Sequence, residues 1–443
     1  MKIQLSDHFN YKKLLQFVFP SVIMMVFTSI YGVVDGLFVS NFVGDTAFAA
    51  INLIMPMNTI LGGVGFMLGS GGSALVAKIL GAQKKEKANR YFTMMILVSL
   101  IVGIALTAIG IAVMKPVSLL LGATEGMLPF CVLYGSVTMG FTVFFMLQYS
   151  FQSFLIAAEK PNLGLLATVA AGVTNMVLDA LFIAVFKWGI AGAALATGLS
   201  QCVGAIIPLI YFLRPNKSLL KLVKTRLEIK PILKACANGS SEMVSNATSA
   251  VIGILYNFQL LKYAGENGVA SYGVLMYVQF ILAAIFIGYA MGSAPIISYH
   301  YGAGNHIELK SLLKKSNTLM FITGAIMVVT AQLLAVPLAK LFVGYNPTLF
   351  DMTVRALRIS TVSFVIVGFN IFASSFFTAL NDGGVSAAIS FLRTFIFKMA
   401  AILILPILFQ LDGIWFADVV AEIFAFAISI IFLFAKRKKY KYM

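Results

Sequence analysis

Histidine, cysteine and acidic side chains are all scarce in this sequence. It has three His, three Cys and 16 Asp plus Glu, against 32 Lys plus Arg, in 443 residues. The cysteines, Cys131, Cys202 and Cys236, fall in separate segments. Neither a disulfide framework nor a thiolate metal site is therefore expected. His8, His300 and His306 fall in predicted loops or at segment ends and form no ligand cluster. No Gly-Lys dipeptide occurs, which excludes a Walker A phosphate loop, and there is no His-Glu-x-x-His. An enzyme working inside a membrane would need a nucleophile with its base, or a metal. The sequence offers neither, so no catalysis and no organic cofactor are expected. Charge of both signs is sparse, at 11% of residues, where a soluble chain carries roughly a quarter.

What fills the sequence instead is hydrophobic residues, at 60%. Uncharged runs cover 46–77, 91–114, 128–158 and 188–213, each long enough for the ~20 residues that cross a bilayer. Such runs recur along the whole chain and leave no room for a soluble domain. The first, 14–34, is too long for the core of a signal peptide and lacks a small-residue cleavage pattern, so it reads as a retained span. The expected spans are 14–38, 48–77, 91–114, 128–157, 163–186, 188–213, 235–262, 269–298, 317–339, 359–380, 386–409 and 412–435. With the N-terminus inside, 24 of the Lys and Arg fall on inside segments and 6 on outside loops. This is the positive-inside asymmetry. It explains the net charge of +16 by topology and removes the reason to expect a nucleic-acid partner. The fold class is thus an all-α polytopic membrane protein of twelve transmembrane helices. Both termini are expected on the cytoplasmic side of the cell membrane.

The most charged interior segment, 214–234, divides the chain near its middle. Shifting the first half by 221 residues sets 73–82 against 294–303, both ending in Gly-Ala. The same shift pairs Gly44 with Gly265, Met55 with Met276 and Gly71 with Gly292. At a slightly larger shift Gly189-Ile190 meets Gly413-Ile414. We read two pseudo-symmetric six-helix bundles: a first lobe at 1–213, a basic linker at 214–234, and a second lobe at 235–443 with a basic tail. Internal repeats of this kind build transporters whose site lies between or within the bundles.

Carboxylates inside a bilayer are costly, about 2.5–3.5 kcal/mol each on insertion scales, so each is a functional candidate. Asp35, Asp179, Glu242, Asp418 and Glu422 fall inside expected spans. Asn175 and Asp179 share a helical face at i, i+4. With Asp35 near the end of the first span and Thr197 in the sixth, the first half offers carboxylate, amide and hydroxyl oxygens. Such a set could bind Na⁺; two close carboxylates could instead hold a proton. In the second half, Lys398 lies at the depth of Glu422 and is expected to pair with Glu422 or Asp418, as a structural ion pair or as part of a substrate site or gate. Arg393, nearer the inner end, is expected to snorkel to the interface. In the fourth span Gln148 and Tyr149, with Tyr134 and Gln152, form a polar stripe that could line a cavity.

Three segments carry a family resemblance: Asp35-Gly-Leu-Phe-Val-Ser, Asn175-x-x-x-Asp179-Ala-Leu-Phe-Ile, and Gly189-Ile-Ala-Gly-Ala-Ala-Leu-Ala-Thr197. Together with the two halves and the basic loop they resemble multidrug and toxic compound extrusion (MATE) transporters over nearly the whole chain. Tyr301-Gly-Ala-Gly-Asn305 resembles the bacterial MepA-like branch. The resemblance implies export of amphipathic or cationic small molecules in exchange for Na⁺ or H⁺, with a cation site at Asp35, Asn175, Asp179 and Thr197. Some family members also use a second-lobe site pairing a carboxylate on the seventh helix with an aspartate on the tenth. Glu242 could fill the first role, but the tenth span here has no carboxylate. The expected function is a cation-coupled antiporter working by alternating access as a monomer. Its partners are a small-molecule substrate and the lipid bilayer, and Na⁺ or H⁺ is its only cofactor. The alternative is a flippase for a lipid-linked saccharide, to which Lys398 and Arg393 would present positive charge.

Overall fold

Every apolar run forms a helix in the computed structural model, and no strand occurs among the described residues. It describes residues 3–443, apart from the side chains of Leu37, Ser40 and Asp45; Met1 and Lys2, the start of the first lobe, lie outside the described residues. The helices are α1 (Tyr11–Phe42), α2 (Asp45–Gly81), α3 (Lys85–Leu120), α4 (Leu128–Gly140 with Thr142–Ala157, bent by 52°), α5 (Pro161–Val185) and α6 (Gly189–Leu213). Two further helices are too long to be single spans. At 1.5 Å per residue a 74-residue helix would reach about 110 Å, against ~30 Å of hydrocarbon. Ile229–Gly302 turns back at Gly265 (φ 62°, ψ −152°), and Lys398–Tyr440 at Gln410 (φ 51°, ψ −131°). These breaks define α7 (229–264), α8 (266–302), α11 (383–409) and α12 (411–440). Between them lie α9 (His306–Val343) and α10 (Pro347–Ala379). Divided in this way, the described residues form twelve long helices; most run past the expected ends, whereas α4 keeps the expected 128–157 and α6 begins one residue later than expected. Positive φ is sterically cheap only for glycine. The repeat had already paired Gly44, at φ 96°, with Gly265, so the first turn of each lobe uses the same device.

The linker is shorter and less independent than 214–234. Residues from Ile229 onward already belong to α7. The remainder lies extended along α3: Lys221 and Val223 donate backbone N–H groups to Asn89 and Thr93, and Leu220 is fully buried. The basic segment is therefore a strap fastened to the first lobe.

The lobes touch at the end that carries the termini. Gly71 of α2 lies against Ala235 and Gly239 of α7, and Gly239 against Met67, with no room for a Cβ on either side. Gly81 faces Tyr299 and Ala303 of α8, while its repeat partner Gly302 faces Lys78 of α2. These reciprocal contacts follow the small-residue logic of membrane helix packing. The N-terminal segment bridges the same end. Leu5 donates its N–H to Glu159 at 2.8 Å, Phe9 donates to Glu308 at 2.9 Å, and both apolar side chains are buried. Toward the other end the crossings are looser: a Cβ on Gly36 of α1 would only just reach the Tyr277 hydroxyl of α8, at 4.0 Å. The face of α2 that is packed at Gly63, Met67 and Gly71 continues to Ile60, Ala49 and Thr46, and these three are exposed. The tightest contacts between the lobes thus lie at the termini end.

Candidate functional site

In the first lobe, α1 and α5 meet where Gly172 has no side chain: Phe27 and Tyr31 lie on its backbone. Phe27, Tyr31 and Asp35 recur at i, i+4, i+8, and Gly172, Asn175 and Asp179 at i, i+3, i+7. Each trio is one stripe of its helix. The helices run the same way, so the Gly172 contact carries Asp35 up beside Asn175 and Asp179. Tyr134 of α4 joins the group, next to both carboxylates and to Thr197 of α6. Directly after Asp179 the helix widens to a π-helical turn, Ala180–Val185, a feature that recurs at functional sites.

Asp179 is 0% exposed and Asn175 1%, while Asp35 and Thr197 are partly buried. Asp35 Oδ1, Asn175 Oδ1, both Asp179 carboxylate oxygens and Thr197 Oγ1 are buried with no well-formed hydrogen bond among the described residues, and the groups near enough to interact with them are members of the cluster itself, Asp35 with Asp179 and Asn175, and Thr197 with Tyr134. None of the ion pairs among those residues involves Asp35 or Asp179. Folded proteins leave few buried polar atoms unpaired, because each one costs about 1–3 kcal/mol. Five such oxygens on three helices, two of the residues being carboxylates, fit a hard cation or protons. All four first-lobe residues picked from sequence are thus brought together, with Tyr134 added.

The second lobe holds a cluster of different chemistry. Lys398 Nζ lies 2.9 Å from Asp418 Oδ1, so of its two expected partners it takes Asp418. Gln279 of α8 donates to the other Asp418 oxygen at 3.0 Å, and the Tyr256 hydroxyl of α7 is buried beside the same carboxylate. Glu422 pairs instead with Arg393, whose Nε donates at 2.9 Å and 3.0 Å to the two carboxylate oxygens. This corrects the expectation that Arg393 snorkels. Glu422 is one turn deeper on α12 and buried, and it draws the guanidinium inward. Asn370 of α10 completes the network, donating to the Glu422 carboxylate at 2.7 Å and to its backbone carbonyl at 3.0 Å. Gln279 and Asn370 escaped sequence reading because a lone amide in an apolar run does not show what it faces.

The remaining candidates are placed as follows. Glu242 is partly buried on α7, one turn beyond the Gly239 crossing, with no ion pair among the described residues. Gln148 is buried against the backbone of Gly204 on α6, and Gln152 donates to Thr168 at 3.1 Å. Tyr134 is buried too. This polar stripe therefore lies inside the first lobe, and of its members only Tyr149 is partly open, beside Phe66 and Phe145.

A helical membrane protein of two repeated halves that meet at one end, with buried carboxylates within each, has the architecture of a secondary transporter. The MatE family model matches residues 20–181 and again 242–404, once in each half, starting 222 residues apart (242 against 20). The chain belongs to this family of membrane transporters. It is 24% identical over 409 residues to the multidrug export protein MepA of Staphylococcus saprophyticus, covering 91% of this chain and 88% of that one. To the MepA of Staphylococcus haemolyticus it is 22% identical over 430 residues, covering 97% and 94%. Among solved structures, one described as the outward-facing conformation of a multidrug resistance MATE family transporter superposes with a TM-score of 0.94 at 22% identity, over 100% of this chain and 99% of that one. A Pyrococcus furiosus transporter of the MOP superfamily, described as having reverse polarity of its binding pocket, gives 0.91 at 22% identity, over 98% and 97%. Nothing in these likenesses favours the lipid-linked saccharide flippase.

Proposed function

We propose that this protein is a cation-coupled antiporter that exports amphipathic or cationic drug-like molecules. Na⁺ or H⁺ is taken up at Asp35, Asn175, Asp179 and Thr197. The observation that carries this reading is the group of orphaned oxygens on α1, α5 and α6. A cation arriving there would satisfy all of them together. Because those helices are held in register at Gly172, its arrival or departure would bias how they pack.

The charge distribution supports placing both termini in the cytoplasm of a cell-membrane protein. The glycine-lined end is then the inner gate, and the lobes part toward the outside. A solute enters from the cytoplasm when that gate opens and the cation has left. Rebinding of the cation from outside, after the solute is released, drives the return. The test is drug or dye export by cells expressing the protein. Asp35→Asn is expected to abolish export while the protein remains folded and inserted; export at the wild-type rate would overturn the reading.

A further inference from the structure

The two lobes place polar clusters at equivalent positions, yet among the described residues only the second-lobe cluster contains a cation. The family matches end at 181 and 404, and that offset of 223 superposes Asn175 on Lys398. The offset of 221 superposes Asp35 on Tyr256. On the sixth helix of each lobe, aligned at Gly189 and Gly413, Asp418 lies one turn before the equivalent of Thr197. In both lobes the fifth helix widens to a π-helical segment next to the cluster, after Asp179 in one and before Lys398 in the other (Leu392–Phe397). The first-lobe cluster has two carboxylates and no cation. In the second lobe the Asp418 carboxylate is held by the Lys398 ammonium at 2.9 Å and by Gln279 at 3.0 Å, with the Tyr256 hydroxyl alongside. The neighbouring Arg393–Glu422 pair is neutral by itself, so Lys398 is the charge that balances Asp418.

We propose that Asp418, Gln279 and Tyr256 form a second monovalent-cation site, and that the tethered ammonium of Lys398 occupies it permanently. The chain therefore exchanges its coupling ion in the first lobe alone, and truncation of Lys398 opens a second site for Na⁺. The chemistry fits. A primary ammonium and Na⁺ carry the same charge, and both are satisfied by carboxylate, amide and phenol oxygens. Gln279 donates its amide N–H to Asp418 while the ammonium is present; turning the amide over would present its oxygen to a free ion. Lys398 is 25% exposed, so the position it would vacate is not sealed within the protein.

The inference takes the first-lobe cation reading as its point of comparison, and the experiment separates the two. Full-length protein is purified in detergent, and its thermal unfolding is followed as NaCl replaces choline chloride at constant ionic strength. Asp179→Asn removes the first-lobe contribution and serves as background. Adding Lys398→Ala is expected to produce a saturable Na⁺-dependent rise in melting temperature that the background lacks. Adding Asp418→Asn as well is expected to abolish it, and methylammonium is expected to replace Na⁺. Lys398→Gln, which leaves a hydrogen-bonding side chain beside Asp418, is run in parallel. If Lys398→Ala is recovered folded only when Na⁺ or methylammonium is present during extraction, that recovery supports the proposal. A melting temperature indifferent to Na⁺ in both Lys398 variants, an Na⁺ effect that survives Asp418→Asn, or failure of both variants to fold with either cation would overturn it. The first-lobe reading is judged independently, by comparing Asp179→Asn with wild type while Lys398 is intact.

Discussion

Replacing Arg393 by Met removes the one cation that, among the described residues, pairs with Glu422, whose side chain is 2% exposed. Breaking a buried pair from one side costs about 3–5 kcal/mol, because the surviving charge is left without compensation. Here Asn370 still donates to Glu422 at 2.7 Å, and a hydrogen bond to a charged group contributes about 1.5–3 kcal/mol. The loss should therefore fall near the low end, about 3 kcal/mol. Glu422→Gln should cost a similar amount by stranding the guanidinium, which is 16% exposed. The double variant should recover much of the loss, since a buried pair replaced as a unit is close to neutral. The assay is a double-mutant cycle on purified protein, with thermal unfolding read for all four species. A coupling of about 2 kcal/mol or more is expected for residues that share one network. Single variants that unfold like wild type, or losses that simply add, would refute the argument that Arg393 is drawn inward by Glu422.

Two further outcomes follow from the closed end. Gly81→Leu or Gly302→Leu places a side chain against the backbone of the other lobe, so the closed end should part. Spin labels on either side of it should report longer distances, and unchanged distances would count against the inner gate. Asp382, in the turn between α10 and α11, is bonded by the Tyr440 hydroxyl and by Lys439 Nζ. Burial works to raise its carboxyl, but Tyr440 and Lys439 outweigh burial and hold it below the ordinary carboxylate value. A lowered folded-state value means that the stabilisation is complete above the unfolded-state value of ~3.9. It is lost as pH falls through the lower folded one. With Lys439 60% exposed the ion pair contributes at most about 1 kcal/mol. Hydrogen exchange over 436–443 should therefore rise in Asp382→Asn at pH 7, and the difference from wild type should shrink only as pH falls below the unfolded-state value of ~3.9; equal exchange at pH 7 would remove the anchor.

Most of the architecture was legible because a bilayer forces it. Uncharged runs of sufficient length recur along the chain, and each of them forms a helix. The pairing of Gly44 with Gly265 marked a turn that both lobes make. The first-lobe site was legible because Asn175 and Asp179 share a helical stripe and because carboxylates do not enter spans without cause. The second lobe was harder. Depth put Lys398 near both Asp418 and Glu422, and one turn of α12 decided between them. Arg393 had a shorter route to the interface than to Glu422 when each helix was considered alone. Only the packing of α10, α11 and α12 shows that the inward route is taken. Likewise the stripe at Tyr134, Gln148 and Gln152 had the spacing of a cavity wall. Gly204 closes over Gln148, and no periodicity in α4 could show that.

The central claim is that the carboxylates of the first lobe couple a cation gradient to solute export. The direct measurement is dye movement across proteoliposomes under an imposed Na⁺ or H⁺ gradient, with wild type and Asp179→Asn reconstituted side by side. Wild type should move dye against at least one gradient and Asp179→Asn against neither. Dye movement that neither gradient drives, or that Asp179→Asn retains in full, would contradict the account.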